Sequence, residues 1–200
     1  VTVLFNSNGT LLTPELSKEL ALSGLDEYRV SLDSADPVLY ARLRGRDLLD
    51  QVVKNIEELV EVKRRLCIDH PRISLWSIGM RENLTQLPGL IRLAAAIGIP
   101  EVYVQRLVYA LDGIDDRHEP EQAEESLFGN TSPGESALLT ECACLSEELG
   151  VAFRASGATD PIHSLATARG TGQRPWAACR RPWTTAYITA NGNTLPCCIA

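Results

Sequence analysis

Residues 72–107 read RISLWSIGMRENLTQLPGLIRLAAAIGIPEVYVQRL, and the order of patterns within them decides the fold class. The β-branched and aromatic run Arg72–Ile78 predicts a strand. Leu84–Ile97 predicts a helix that Gly98 ends, and Glu101–Leu107 predicts the next strand. Strands joined by a helix of about ten residues or more pair in parallel, because the chain must cross back over the sheet. The stretch therefore predicts a βαβ unit.

The same alternation continues on both sides of this unit. The further predicted elements are strands at Val1–Phe5, Tyr28–Leu32 and Val151–Arg154, and helices from Thr13 to about Leu22, along Leu48–Val60, and from Pro133 to Leu149. We therefore expect an α/β fold over residues 1–156, whose parallel strands make half of a full (β/α) barrel or most of a partial one.

The composition is typical of a globular protein with one sizeable core, since 44% of the 200 residues are hydrophobic and 22% are charged. The formal net charge of -7 gives no electrostatic reason to expect nucleic acid or an anionic membrane as a partner. No apolar run approaches the roughly 18 residues that a membrane-spanning helix needs, and no signal peptide is visible. We therefore expect a cytoplasmic protein.

The last fifth of the chain lacks the regular hydrophobic periodicity of the rest. From Ser156 onward, glycine and proline interrupt every periodic pattern, which predicts a linker over residues 157–178. A small module follows at residues 179–200. Within it, Asn191-Gly192 separates the short runs Thr185–Ile188 and Thr194–Cys197, which predicts a β-hairpin.

The six cysteines indicate metal binding or catalysis rather than disulfides, because the chain shows no secretion signal. Cys179 and Cys197 bracket the predicted hairpin, so both sulfur atoms can reach one site. Thiolate spacing does not separate an iron–sulfur cluster from a structural zinc, and two ligands complete neither. Cys67, Cys142 and Cys144 are predicted to be small packing residues.

Polar side chains follow the predicted strands at their carboxyl ends, where parallel α/β folds bind ligands. Ser31 and Asp33 share one face of a strand end, and a hydroxyl beside a carboxylate either binds sugar hydroxyls or begins a turn. Arg44 ends the long loop Asp33–Gly45 and either grips a carboxylate through paired hydrogen bonds or is solvated. Asn8 lies after the first strand, where a tight turn is the alternative to a binding role.

Together these motifs resemble the second half of a radical S-adenosylmethionine (SAM) partial barrel. Asn8-Gly9 resembles the strand-end Asn-Gly of that family, and Ser31-Leu32-Asp33 resembles the Ser-x-Asp that holds the SAM ribose. Arg44 resembles the arginine that contacts the methionyl carboxylate. Asn83 and Arg106, at the next two strand ends, are further candidates for the same pocket.

The resemblance continues into the last module, which is similar to the start of a SPASM or twitch-type auxiliary iron–sulfur domain. Cys179, Gly192 and Cys197 have the spacing of the auxiliary cluster motif. The resemblance therefore implies that Cys179 and Cys197 are ligands of an auxiliary cluster, whose remaining ligands would follow Ala200.

The resemblance implies an enzyme in the full-length protein. In the family, SAM binds at a [4Fe–4S] cluster and is reductively cleaved to a 5′-deoxyadenosyl radical, which abstracts hydrogen from a substrate. This implies an electron donor as a partner and a substrate of unknown identity, for which a peptide is one candidate.

One departure from the family pattern concerns the Cys-x3-Cys-x2-Cys loop that holds the SAM-cleaving cluster. No three cysteines of this chain have that spacing, so we expect a truncated chain that is inactive alone and carries no catalytic residue. Two alternatives stay open: a non-catalytic or degenerate SAM-binding barrel, and an α/β-barrel enzyme with a structural zinc tail.

Overall fold

The computed structural model describes residues 1–107, 125–127, 131–156, 161–166, 186–188 and 191–195. The chain forms two compact units, Val1–Thr167 and Ala168–Ala200. The described strands of the first unit are β1 (Leu4–Ser7), β2 (Glu27–Ser31), β3 (Arg72–Gly79), β4 (Glu101–Arg106) and β5 (Ala152–Ala155). Its described helices are α1 (Pro14–Leu22), α2 (Pro37–Arg44), α3 (Leu49–Leu66), α4 (Leu87–Ile97), α5 (Pro133–Leu149) and α6 (Pro161–Ala166), and a 3-10 turn at Leu84–Gln86 precedes α4.

The five strands of the first unit form one parallel sheet in the order β1-β2-β3-β4-β5. Because parallel crossovers are right-handed and the strand order is sequential, the connecting helices lie on one face of the sheet. On that face Val30, Leu75 and Val104 are fully buried in one core with Ile56 of α3 and Leu90 of α4. The other face carries polar and aromatic side chains.

The helix boundaries follow local signals in the sequence. The Thr13 hydroxyl accepts a hydrogen bond from the Leu16 N–H at 3.3 Å and caps α1. Ser132 and Glu135 form a capping box at the start of α5. Gly98 and Gly150 end α4 and α5 in the left-handed conformation, which glycine adopts at low cost.

The prediction of an α/β fold with a parallel sheet is confirmed, with two local differences at the carboxyl edge. Strand β1 runs over Leu4–Ser7 rather than Val1–Phe5. Helix α2, Pro37–Arg44, lies in a stretch that was expected to be a loop. Eight residues show too little of an apolar face to be recognised by periodicity, although the Asp36 carboxylate caps this helix through the Leu39 N–H at 2.8 Å.

The end of the first unit also differs from the expectation. Helix α6, Pro161–Ala166, lies inside the predicted linker 157–178 and belongs to the first compact unit. Cys142 is buried as predicted, but the packing prediction is wrong for Cys67 and Cys144, which are exposed. Cys67 caps the end of α3 with a φ of 54°, beyond the helix face that packs on the core.

In the second unit, strand β6 (Tyr187–Ile188) pairs antiparallel with strand β7 (Thr194–Leu195). Gly192 between them has a φ of 82°, and the predicted hairpin is confirmed. The cysteines that bracket it, Cys179 and Cys197, lie outside the described residues. Among the described helices, none combines the length and the apolar character of a bilayer-crossing segment.

Candidate cofactor site at the carboxyl edge of the sheet

The carboxyl ends of β1 to β4 lie along one edge of the parallel sheet, as the shared strand direction requires. Asn8, Asp33 and Asn83 lie one, two and four residues after the ends of β1, β2 and β3, and Arg106 is the last residue of β4. All candidate SAM contacts of the first unit therefore lie at this edge or, in the case of Arg44, at the end of helix α2, which follows β2.

Asp33 is the best anchored of these residues. It is 4% exposed, and its Oδ1 accepts a hydrogen bond from the Ile78 N–H of β3 at 2.9 Å. Its Oδ2 lies 2.5 Å from Nη2 of Arg44. A carboxylate offers about four acceptor positions, so these two partners leave acceptor capacity for a ligand hydroxyl.

Arg44 reaches Asp33 because α2 ends at this point. Gly45 follows with a φ of 76° and lets the chain turn away directly after the guanidinium-bearing residue. One turn earlier, Tyr40 is 2% exposed. Burial raises the pKa of the Tyr40 hydroxyl. The Arg44 charge lowers this pKa and the Asp33 charge raises it further, and the net effect is a raised pKa. A neutral phenol therefore packs beside the ion pair.

Asn83 is fully buried and ties β2 to β3 through the main chain. Its Nδ2 donates to the carbonyl oxygens of Asp33 at 3.1 Å and of Ile78 at 2.8 Å, while its Oδ1 accepts from the Met80 N–H at 3.0 Å. Both donor hydrogens are thereby used. The structure places Asn83 beside Asp33 as a residue that holds the strand ends together.

Ser31 and Asn8 differ from these residues in being accessible. The Ser31 side chain is partly exposed, and within the described residues no hydrogen bond engages its hydroxyl. Asn8 is exposed, and its Oδ1 accepts from the N–H of Thr10 at 3.1 Å and from its hydroxyl at 2.8 Å. These bonds form a local turn after β1, the alternative that the sequence left open.

Close packing explains why glycine follows Asn8. Gly9 has a φ of 73°, and a Cβ there would lie 3.1 Å from a methyl group of Val52 and 3.2 Å from one of Val30. Its carbonyl oxygen accepts a hydrogen bond from Asn55 of α3 at 2.9 Å. The Asn-Gly pair therefore brings the loop after β1 close onto the sheet and α3.

Arg106 contacts α6 rather than the Asp33–Arg44 pair. Its Nε donates to the carbonyl oxygen of Ser164 at 2.6 Å, and its backbone N–H donates to the Ser156 hydroxyl at 3.3 Å. The residue therefore joins the end of β4 to the loop after β5 and to α6.

A set of charged contacts around the loop after β3 is not predictable from the sequence. Glu82, in the loop after β3, forms an ion pair with Arg42 of α2, and its N–H donates to a carboxylate oxygen of Glu125 at 2.9 Å. Arg81 forms an ion pair with Glu135 of α5. These contacts fix the loop after β3 against two helices, and alternating charges in a loop gave no signal for them.

The described residues hold no group of three or more histidine, cysteine, aspartate or glutamate side chains arranged to bind a metal. The predicted metal ligands Cys179 and Cys197 lie outside the described residues.

No family model matches the chain, but sequence relatives match about half of it. A tungsten-containing aldehyde ferredoxin oxidoreductase cofactor-modifying protein of Pyrococcus furiosus is 31% identical over 52% of this chain and 29% of its own length. A probable GTP 3′,8-cyclase of Sulfurisphaera tokodaii is 31% identical over 52% of this chain and 31% of its own length. The mycofactocin maturase MftC of Mycolicibacterium smegmatis is 32% identical over 49% of this chain and 24% of its own length.

The chain thus spans less than a third of the length of the curated relatives that it matches. Among solved structures, SuiB of Streptococcus suis bound to S-adenosylmethionine matches 99% of this chain and 42% of its own, with a TM-score of 0.66 and 16% identity. SuiB bound to the precursor peptide SuiA matches 98% of this chain and 42% of its own, with a TM-score of 0.62 and 16% identity. At this identity the match is evidence of fold, and it agrees with the parallel α/β architecture. The cyclase, MftC and SuiB are radical SAM enzymes of the SPASM and twitch types, and this chain is similar to such enzymes in sequence over about half of its length and in fold over nearly all of it.

Proposed function

We propose that this chain carries part of the SAM-binding site of a radical SAM enzyme, at the carboxyl edge of its parallel sheet. The observation that carries the proposal is the buried Asp33 carboxylate, which is fixed by the Ile78 N–H and paired with Arg44 at the end of β2. A fixed carboxylate at such an edge is suited to the two hydroxyls of a ribose.

The chemistry of the donor set fits SAM. Asp33 keeps acceptor capacity for the ribose hydroxyls, and the accessible Ser31 hydroxyl lies two residues before it. Arg44 uses one Nη atom on Asp33, its side chain is 29% exposed, and a guanidinium has five N–H donors. Its remaining donors suit the methionyl carboxylate of SAM.

The other candidate residues take supporting roles in this proposal. Asn83 positions Asp33 by holding its carbonyl oxygen against β3, and Arg106 positions α6 against the end of β4. Asn8 borders the pocket through the turn after β1. Direct contact with SAM is assigned to Ser31, Asp33 and Arg44.

The activity of the full-length protein is part of the proposal. SAM bound to a reduced [4Fe–4S] cluster supplies a 5′-deoxyadenosyl radical for hydrogen abstraction, with electrons from a separate donor protein or reductant. The three cysteines that bind such a cluster are not among the residues of this chain, so the chain by itself is expected to be inactive. A cytoplasmic location stays a prediction from the sequence.

The hairpin of the second unit supports an auxiliary cluster as a further cofactor. Strands β6 and β7 are antiparallel, and Cys179 and Cys197 bracket them in the sequence. We assign both cysteines to the cluster. Anaerobically purified full-length protein should lose iron and sulfide from this site in Cys197→Ala, with no change at the SAM-cleaving cluster. Stoichiometric zinc without the extra iron and sulfide would instead identify the structural zinc tail.

A peptide is the substrate class that we propose. The support is the fold of SuiB, which has been solved bound to the precursor peptide SuiA and matches nearly the whole of this chain. A peptide backbone also suits an open sheet face, because its side chains can contact residues of several strands at once.

The test is equilibrium binding of SAM to the full-length protein and to Asp33→Asn, which keeps the shape of the side chain and removes its charge. We expect the Kd for SAM to rise at least about tenfold, because charge-assisted hydrogen bonds to the ribose are weakened. Asp47→Asn, an exposed aspartate in the loop after α2, is the matched control. Unchanged SAM affinity in Asp33→Asn, with intact iron content, would remove the ribose-binding role.

The same protein distinguishes an enzyme from a degenerate binding barrel. A radical enzyme forms 5′-deoxyadenosine from SAM under reducing, anaerobic conditions. Tight SAM binding with no 5′-deoxyadenosine would identify the non-catalytic alternative.

A further inference from the structure

The face of the sheet opposite the helices has polar and aromatic side chains, of which only Ser31 is a proposed SAM contact. We call it the polar face and define it by Arg29, Ser31, Trp76, Tyr103 and Gln105. The register places Ser31 opposite Trp76, and Trp76 opposite Tyr103, so these side chains lie on the same side of β2, β3 and β4. Each of the five side chains is at least partly exposed.

Three of these side chains form a stack across three strands. The guanidinium carbon of Arg29 lies 4.1 Å from the centre of the Trp76 ring. The Tyr103 ring lies 4.0 Å from the Trp76 ring, with 16° between the planes. A cation held on an aromatic stack has few rotamers left to lose when a ligand binds, so the arrangement is pre-organised.

A hydrogen-bond network below the stack fixes Arg29 further. Glu27 accepts from Nη2 of Arg29 at 2.9 Å and from the Ser74 hydroxyl at 2.9 Å, and the Ser74 hydroxyl accepts from Nε1 of Trp76 at 3.0 Å. Burial raises the pKa of Glu27, but the hydrogen bonds from Arg29 and Ser74 outweigh it and lower the pKa overall. Glu27 is therefore a carboxylate at neutral pH and holds one side of the guanidinium.

The other side of the guanidinium is available to a ligand. In the part of the chain that the structure describes, no protein group bonds to Nη1 of Arg29 or to the Tyr103 hydroxyl. Nε of Arg29 is buried and has no partner among the described residues. Nη1 of the partly exposed Arg29 and the Tyr103 hydroxyl therefore have unused hydrogen-bonding capacity that favours an acceptor from outside, whereas the buried Nε is not accessible to a ligand.

The charges of this face favour an anionic group. Its charged residues within β1–β5 are Glu27, Arg29, Arg72, Glu101 and Arg154, of which Arg72 and Arg154 both pair with Glu101. Three guanidinium groups face two carboxylates, which leaves a net positive charge although the whole chain is acidic. The charge pattern thus complements a carboxylate.

We propose that Arg29, supported by Trp76 and Tyr103, binds the carboxylate of an acidic side chain in the peptide substrate. The proposal rests on the proposed function and extends it to substrate specificity. Arg29 lies two residues before Ser31 on the same face, which is about 6.6 Å along the strand. A glutamate or aspartate held by Arg29 would therefore lie directly below the proposed SAM site and fix the register of the peptide there.

The test compares two peptide probes that differ only in charge, acetyl-Ala-Glu-Ala-amide and acetyl-Ala-Gln-Ala-amide, by calorimetric titration of the full-length protein. We expect the glutamyl peptide to bind at least about fivefold more tightly, as a charge-assisted hydrogen bond from Nη1 of Arg29 implies. Arg29→Met should remove this preference, and Arg29→Lys should retain part of it. Arg65→Met, an exposed arginine of α3, is the control and should leave it unchanged.

Three outcomes would overturn the inference: equal affinity for the two peptides, binding of neither, or a preference that survives in Arg29→Met. SAM binding by the Arg29 variants separates this inference from the proposed function and also reports correct folding. If the protein binds SAM but does not distinguish the peptides, the carboxylate site alone is wrong. If it distinguishes the peptides but does not bind SAM, the SAM site alone is wrong.

Discussion

Oδ2 of Asp33 and Nη2 of Arg44 lie 2.5 Å apart, and the pair closes the connection between β2 and α2. The Asp33 side chain is 6% exposed and that of Arg44 is 29% exposed. The Arg44 guanidinium therefore offsets much of the free-energy cost of burying the Asp33 charge. Both members are also proposed SAM contacts. The pair thus combines an observed structural contact with a proposed functional one, and each role has its own test.

Arg44→Met should lower the free energy of unfolding by about 1–3 kcal/mol, because it leaves a nearly buried carboxylate without its partner. The partial exposure of Arg44 keeps this below the loss expected for a fully buried pair. The double variant Asp33→Asn/Arg44→Met should lose less than the sum of the single variants. Urea unfolding of the four proteins measures this coupling, and additive losses would show that the pair contributes no stability.

Asn83→Ala should lower the free energy of unfolding by about 2–3 kcal/mol, because two carbonyl oxygens and one N–H lose their partner in a buried place. Asn83→Asp should be worse, since a carboxylate cannot donate to the carbonyl oxygens of Asp33 and Ile78. Asn6→Ala, at an exposed position of β1, is the control and should change stability little. A loss no larger than that of the control would contradict the tie between β2 and β3.

Ser17→Ala should raise the free energy of unfolding by about 1 kcal/mol, because the Ser17 hydroxyl is fully buried without a hydrogen-bond partner among the described residues. Alanine also has the higher helix propensity. Ser146 is the matched control, since it is a buried helical serine whose hydroxyl donates to the Ala143 carbonyl at 2.7 Å. Ser146→Ala should be neutral or destabilising. Thermal and urea unfolding of both variants decide between these signs.

Glu135→Gln should lower stability at neutral pH but not in acid. Burial raises the pKa of Glu135, yet hydrogen bonds from Ser132 and Arg81 outweigh it, so the pKa lies below the ordinary value of 4.5. A group whose pKa is lowered by folding stabilises above its unfolded pKa and loses that contribution as the pH falls through its folded pKa.

The difference in unfolding free energy between the wild type and Glu135→Gln is therefore expected to be full above pH 4.5 and to shrink below it. Arg81→Met should shift this decline to higher pH, because it removes one cause of the lowered pKa. A difference that stays constant from neutral pH to pH 3 would assign the effect of the variant to shape alone.

The sequence predicts the parallel sheet well because its signals are local and repeated. The run Arg72–Ile78 and the glycine at position 98 each specify their own element, and right-handed crossovers then leave little choice of topology. Asp33 and Arg44 could be proposed as site residues because both follow a strand that periodicity identifies. Their mutual contact could not, since it depends on α2, which is too short to show an apolar face.

The contacts of Asn83 and Arg29 could not be predicted from the sequence. The sequence makes Asn83 a candidate for the SAM pocket but gives no sign that it ties two strand ends, because its partners are main-chain atoms of Asp33 and Ile78. Arg29 and Trp76 lie far apart in sequence, and only the register of β2 with β3 brings them together. The predicted burial of Cys67 is wrong for a different, local reason: the residue ends α3 in a left-handed conformation, which the sequence does not indicate.

The hydrogen bonds that Asp33 makes to Ile78, and Asn83 to Ile78 and Met80, end on backbone N–H and C=O groups. Every amino acid except proline supplies those groups, so the side chains of positions 78 and 80 can be exchanged without loosening the carboxylate at the strand end. Substitutions at these two positions can therefore change the surroundings of the strand end, while the Asp33 and Asn83 side chains keep the same backbone partners.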